Sequence, residues 1–133
     1  MGKYVITMAG CAECHTPVEK GQIIADKKFS GGREFALPGG TLHTANITPD
    51  KETGIGTWTK EAFVARFRAY ADSSYIPQKV APGEMQTVMP WMMYAGMTEK
   101  DLGAMYTYLM SIEPIKNSVP EKFTPASKIV ALR

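Results

Sequence analysis

Apolar residues follow a helical period in two stretches of the chain and lose it elsewhere. Phe63, Phe67 and Tyr70 recur at three- and four-residue spacing, with Arg66 and Arg68 interleaved. Leu102, Met105, Leu109 and Ile112 fall along one stripe, flanked by Tyr106 and Tyr108. Each stretch opens on a threonine suited to accept a bond from the first free N–H groups of a helix. Thr59 lies between Trp58 and Phe63, and Thr98 between Met97 and Leu102, apolar pairs placed to staple the helix entry. The pattern predicts one helix that starts at Thr59 and fades near Asp72-Ser73-Ser74. It predicts another from Thr98 to about Ile112, because Pro114 disfavours α geometry at Glu113. Gly103 inside the second helix costs about 1 kcal/mol against Ala, which a close helix crossing would explain.

A third, shorter helix is predicted over residues 3–9, ending near Gly10. It is β-branched and short, so packing rather than propensity must hold it. The expected packing is a crossing in which Gly2 or Tyr4 meets Met105 or Tyr108 of the last helix. Residues 28–50 are rich in Gly and Pro and read as loops, with a short two-stranded ribbon over 33–37 and 41–45. Gly54 and Gly56 continue the loops. After Pro114 the chain carries Pro120, Pro125 and scattered charge. The expected organisation is therefore a domain over 1–114, then an extended tail or linker stub over 115–133.

Composition narrows the class. The chain has 133 residues, 44% apolar and 21% charged, as a single globular domain does. No run approaches the ~18 apolar residues of a membrane span. Fifteen Lys and Arg against thirteen Asp and Glu leave +2, with no basic run, which argues against nucleic-acid binding. Met1-Gly2-Lys3-Tyr4 does not open a charged region followed by an apolar one, so an export signal is not expected in this stretch.

The two cysteines carry the chemistry. They stand in Cys11-Ala12-Glu13-Cys14-His15, the spacing of c-type haem attachment. Two intervening residues let both thiols reach the vinyl groups on one edge of the ring, and the next residue offers an imidazole to the iron. A thioredoxin-like pair would need a βαβ setting that the pattern lacks. A zinc site built from Cys11, Cys14, His15 and His43 would need ligand spacing that adjacent Cys14 and His15 do not match. The Nδ1–H of His15 is expected to donate to a backbone carbonyl, since axial histidines are commonly fixed this way. The turn-rich segment 29–40, and Pro38 within it, is the expected source.

The second axial ligand is sought among His43 and nine methionines, most of them between positions 85 and 110. Most methionines are core filler. Met89 differs because Pro90 biases it toward an extended conformation on a loop before the last helix. Met85, Met92, Met93 and His43 remain as alternatives.

These residues together resemble the class I c-type cytochromes. Among them, the chain is similar to the single-haem domains associated with bacterial dehydrogenases, such as alcohol dehydrogenase cytochrome subunits. The resemblance runs from Gly2 and Tyr4, through Cys11 to Thr16, to Asn46-Ile47-Thr48-Pro49-Asp50 and Thr53-Gly54-Ile55-Gly56 with Trp58. It continues through Met89-Pro90, Met97-Thr98, Asp101-Leu102 and Tyr108-Leu109. It implies an all-α class I cytochrome c fold, three to five helices around one covalent haem c, in which the first and last helices cross. It implies His15 and Met89 as iron ligands. It also implies that the loop 46–58 wraps the propionate side, where Asn46, Trp58 or both would bond a propionate.

The function expected from this resemblance is one-electron transfer by a mono-haem carrier, between a dehydrogenase-type donor and a respiratory acceptor. Catalytic residues are not expected. The expected setting is the periplasm or outer cell surface, with any membrane tether outside this chain. The rival is a haem enzyme or a gas or redox sensor with a displaceable sixth ligand. It would want distal acid–base groups, and no histidine lies near Met89 in sequence.

Overall fold

The computed structural model describes residues 2–37, 40–71, 89–119 and 123–125. Among these residues five helices are formed: α1 (Gly2–Ala9), α2 (Cys11–Cys14), α3 (Lys60–Arg68), α4 (Trp91–Tyr94) and α5 (Glu99–Ser111). Short 3-10 turns cover Ala25–Lys27 and Ala69–Ala71. Asp72-Ser73-Ser74, the expected fading point of α3, lies outside the described residues. Both threonine caps form: Thr59 Oγ1 accepts from the Ala62 N–H and Thr98 Oγ1 from the Asp101 N–H, each at 3.1 Å. Ile112 leaves helical geometry with ψ 167°, so α5 stops one residue short of the expected end.

Helix α5 is the centre of the fold. It packs against α1 and against α3. Ile6, Phe63, Phe67, Leu102, Met105 and Leu109 join Cys11, Phe29 and Ile55 in one buried cluster. Edge-to-face and tilted rings extend it, with Phe63 5.7 Å from Tyr106 and Phe29 6.4 Å from Tyr108. The α1–α5 crossing depends on Gly2, where a Cβ would run into the Ala104 carbonyl and the Tyr108 Cβ. Tyr4 instead faces out, 68% exposed. Gly103 does not serve the crossing, because a Cβ there would meet only the Lys60 side chain at 3.6 Å, an ordinary contact.

The expected ribbon is present as β3 (Glu34–Leu37) against β4 (Gly40–His43), pairing Glu34 with His43 and Phe35 with Leu42. A hairpin of β1 (Val18–Glu19) and β2 (Gln22–Ile23) was not expected. Its two-residue turn has φ 51° at Lys20 and 78° at Gly21, the doubly left-handed geometry that matches strand twist.

The described part of the segment after Pro114, residues 115–119 and 123–125, is extended and bonds back to the domain. The Ile115 N–H donates to Thr48 Oγ1 at 3.1 Å, and the Asn117 N–H to Thr53 Oγ1 at 3.0 Å. Further on, β5 (Phe123–Pro125) adds antiparallel to β4 and makes the ribbon three-stranded. The physical reason is that β4 and the loop after it offer unpaired backbone and hydroxyl groups, which a Pro-punctuated extended segment can satisfy.

Candidate functional site

The site begins where α1 ends. Gly10 takes φ 73°, a left-handed conformation that ends α1 and lets the single turn of α2 start at Cys11. Cys11 and Cys14 then sit at either end of that turn, both as free thiols. Cys11 is buried among the core residues, and burial pushes its thiol up to about 11. The turn closes with the His15 N–H on the Cys11 carbonyl at 2.9 Å. Arg33 donates to the Glu13 carbonyl and so ties this turn to the ribbon.

His15 is fixed by the chain on two sides. Its carbonyl accepts from the Gly31 N–H at 2.8 Å. Its Nδ1–H donates to the Ala45 carbonyl at 2.7 Å. The donor thus comes to a carbonyl past the segment 29–40 named from sequence, and Pro38 lies outside the described residues. The cause is the ribbon: β4 turns the chain back, so the residues after it run past His15. Gly31 lies between, and a Cβ on it would strike the Ala45 carbonyl group. Burial pulls the imidazole below the ordinary histidine value of 6.5, which keeps it neutral. With Nδ1 spent on Ala45, Nε2 is the lone-pair nitrogen, the form that binds a metal.

Met89 is half-buried and packs against the cluster that contains Cys11. It stands immediately before Pro90 and α4, and α4 is anchored from several directions. The Tyr94 hydroxyl donates to the Ala9 carbonyl at 2.6 Å, at the end of α1. Arg68 donates to the carbonyls of Ala95 and Met97, both at 3.0 Å. The Trp91 ring stacks on Tyr70 at 5.3 Å, under the Arg66 guanidinium at 4.0 Å. Burial, and then the charges of the two cysteines, raise the Tyr94 phenol above its ordinary value. Tyr94 is a site residue that the sequence reading did not name; its i, i+3 relation to Trp91 behind Pro90 was the available signal.

The alternatives for the second ligand fall elsewhere. Met93 is 78% exposed. His43 holds its Nε2 toward Glu34 Oε1 at 3.2 Å on the ribbon. Met85 and the side chain of Met92 lie outside the described residues.

The loop 46–58 is knitted to itself and to the C-terminal segment. Asn46 is buried, and its Oδ1 accepts from the N–H and hydroxyl of Thr48 at 2.9 and 2.8 Å. Its Nδ2 faces Thr53 Oγ1 and the carbonyls of Ile115 and Asn117 at 2.8–3.3 Å. Both ends of the amide are therefore used within the chain. Asp50 caps the next turn by accepting from the Thr53 hydroxyl and N–H at 2.6 and 2.7 Å. Trp58 is 38% exposed and passes its carbonyl to the Tyr106 hydroxyl at 2.6 Å. Among the described residues its indole N–H has no partner.

Two thiols on one helical turn, a neutral imidazole held in the metal-binding tautomer and a half-buried thioether just before the anchored α4 fit a covalent haem. A family model described as cytochrome c matches residues 1–113. Over 129 residues the chain is 32% identical to the alcohol dehydrogenase (quinone) cytochrome c subunit of Gluconobacter oxydans, covering 95% of this chain and 24% of that protein. It is 32% identical over 127 residues to the fructose dehydrogenase cytochrome subunit of Gluconobacter japonicus, covering 93% and 23%. It is 30% identical over 125 residues to the gluconate 2-dehydrogenase cytochrome c subunit of Pantoea cypripedii, covering 93% and 25%. The chain thus spans about a quarter of the length of these curated relatives. Site and sequence agree on what kind of domain this is: the chain belongs to the cytochrome c family and has that family's electron-transfer fold, built for covalent haem c.

Proposed function

We propose that the domain is a mono-haem electron carrier, with haem bonded to Cys11 and Cys14 and its iron held between His15 Nε2 and the Met89 sulfur. The observation that carries this reading is the 2.7 Å bond from His15 Nδ1 to Ala45, which presents the opposite nitrogen at the end of the turn bearing both thiols. Only two cysteines are present, which suits one attachment site. Haem iron so held supplies a ferric–ferrous couple, and thioether ligation favours the ferrous side relative to two histidines.

The protein's own part is to form, hold and shield the couple. Cys11 and Cys14 would hold the haem by thioether bonds, each sulfur going to one vinyl carbon and its hydrogen to the other. The buried cluster of Ile6, Phe63, Phe67, Leu102, Met105 and Leu109 supplies a low-dielectric wall, which disfavours the extra charge of the ferric state. Trp58 is the group left to donate to a propionate, and Asn46 contributes by tying the loop that carries it. Brief docking would use the exposed haem edge near the attachment turn, and Met8 and Met93, next in sequence to the bonded Ala9 and Tyr94, are themselves exposed.

The donor in this reading is a dehydrogenase like those whose cytochrome subunits the chain resembles, and the acceptor belongs to a respiratory chain outside the cytoplasm. The domain itself catalyses no substrate conversion. Among the described residues no helix is long and apolar enough to cross a membrane. Acid–acetone extraction with mass spectrometry tests attachment, and spectra test ligation. Retained haem, a weak far-red thioether band in the ferric protein and slow CO binding in the ferrous protein are expected. Haem lost to the solvent defeats the carrier reading, and immediate CO binding without the band favours a sensor or enzyme.

A further inference from the structure

The family match ends at residue 113, yet the bonds of the next few residues converge on the segments that hold His15. We infer that the strap 115–117 positions the axial histidine, with the Asn117 amide as its positioning residue. The inference rests on the reading of His15 as an iron ligand.

Asn117 reaches both flanks of the His15 cradle. Its Nδ2 donates to the Ser30 carbonyl at 3.0 Å and lies 3.4 Å from the Gly31 carbonyl. Gly31 is the residue whose N–H holds the His15 carbonyl and whose Cα closes against Ala45. On the other flank, the carbonyls of Ile115 and Asn117 accept from Asn46 Nδ2, immediately after Ala45. The Ala45 carbonyl therefore lies between two residues that the strap clips. The Phe29 carbonyl, accepting from the Ile47 N–H at 2.9 Å, closes the same layer. Lys116 takes no part: its ammonium pairs with Glu52 at 2.9 Å, both side chains exposed.

A hydrogen bond from the outer nitrogen of a ligating imidazole raises its basicity and stabilises the ferric ion. Loss of the Asn117 donor frees Gly31 to move, lengthens the His15–Ala45 bond on average and weakens that effect. The consequences are faster solvent exchange of the His15 Nδ1–H and a higher midpoint potential.

The test uses the full haem-loaded chain. Exchange of the His15 Nδ1–H is read by NMR in the ferrous state, beside the midpoint potential and a mass measurement of covalent haem. Asn117→Ala is expected to keep its haem, exchange this proton about tenfold faster and show a raised potential. Asn117→Ser returns one donor and should fall between wild type and Asn117→Ala; it is also the variant to read if the alanine protein does not fold. Lys116→Ala, which breaks only the exposed pair, should match wild type. Haem-loaded Asn117 variants with wild-type exchange and potential overturn the positioning role and leave the carrier reading intact. A lowered potential with unchanged exchange also overturns it, since that pattern reports solvent entry. Wild-type protein without covalent haem overturns the carrier reading itself, and the positioning role with it.

Discussion

His15 and Ala45 are joined by a 2.7 Å bond between an imidazole N–H and a backbone carbonyl thirty residues away in sequence. It is a side-chain bond to a group that every residue possesses, so no side chain at position 45 advertises it. Its effect is to remove the ring's freedom to rotate or change tautomer before a metal is bound. That spares the cost of ordering the ligand on binding.

Met89→Ala separates ligation from attachment. Covalent haem should survive, because attachment depends on Cys11, Cys14 and His15. The far-red band should vanish, the potential should fall and ferrous protein should bind CO at once. If the band persists in Met89→Ala and disappears in Met92→Ala or Met93→Ala, the thioether ligand is one of those residues instead.

Gly2 and Gly103 should respond to alanine with opposite signs. At Gly2 the new methyl collides with the Ala104 carbonyl, which a helix backbone cannot easily yield, so Gly2→Ala should destabilise by about 1–3 kcal/mol. At Gly103 the added Cβ meets only a flexible lysine stem, and helix propensity favours the change by about 0.5–1 kcal/mol. Denaturant midpoints at equal slope measure both. A loss of stability in Gly103→Ala would show that α5 needs the missing side chain after all.

Much of this was legible in the chain. Thr59 and Thr98 marked the starts of α3 and α5 because a cap leaves a local signature. The cysteines and His15 marked the attachment turn because their chemistry demands that spacing. The strap was not legible, since Ile115, Lys116 and Asn117 have no periodicity and the flanking prolines read as breakers. What places them is the unsatisfied backbone of a distant loop, a tertiary fact. The hairpin at Lys20-Gly21 was missed because lysine is not among the residues that usually announce such a turn. Asn46 was singled out as a candidate propionate donor, whereas in this structure its amide is bonded to Thr48, Thr53 and the strap.

Asn46 and Trp58 can be told apart by substitution. Asn46→Ala leaves the Thr48 N–H and the Asn117 carbonyl short of partners and should cost about 1–3 kcal/mol in thermal or denaturant unfolding. Trp58→Phe keeps a ring in place and should shift stability by less than about 1 kcal/mol. By removing a donor to an ionised propionate, it should move the inflection of potential against pH upward. An unchanged inflection would remove Trp58 from the propionate site.

Acid should loosen the loop 46–58. The Thr53 hydroxyl and N–H hold the Asp50 carboxyl below its ordinary value of 3.8. A depressed carboxylate contributes stability above its unfolded value, and that contribution declines as pH falls from there through the folded value. Melting temperature followed between about pH 5 and 2 should therefore drop more steeply in wild type than in Asp50→Asn. Parallel curves would show that the Thr53 bonds do not bear on folding.

The crossing of α1 on α5 also sets a timetable. Gly2 meets Ala104 and Tyr108, roughly a hundred residues further along, so this contact closes a long loop. During synthesis the first helix emerges long before its partner and cannot dock until the last helix exists. Throughout that interval the neighbouring Cys11 thiol is accessible, whereas in the finished fold it is buried. On the proposed attachment at Cys11, haem would reach the thiol while these two helices are still apart, and their crossing would then close over it.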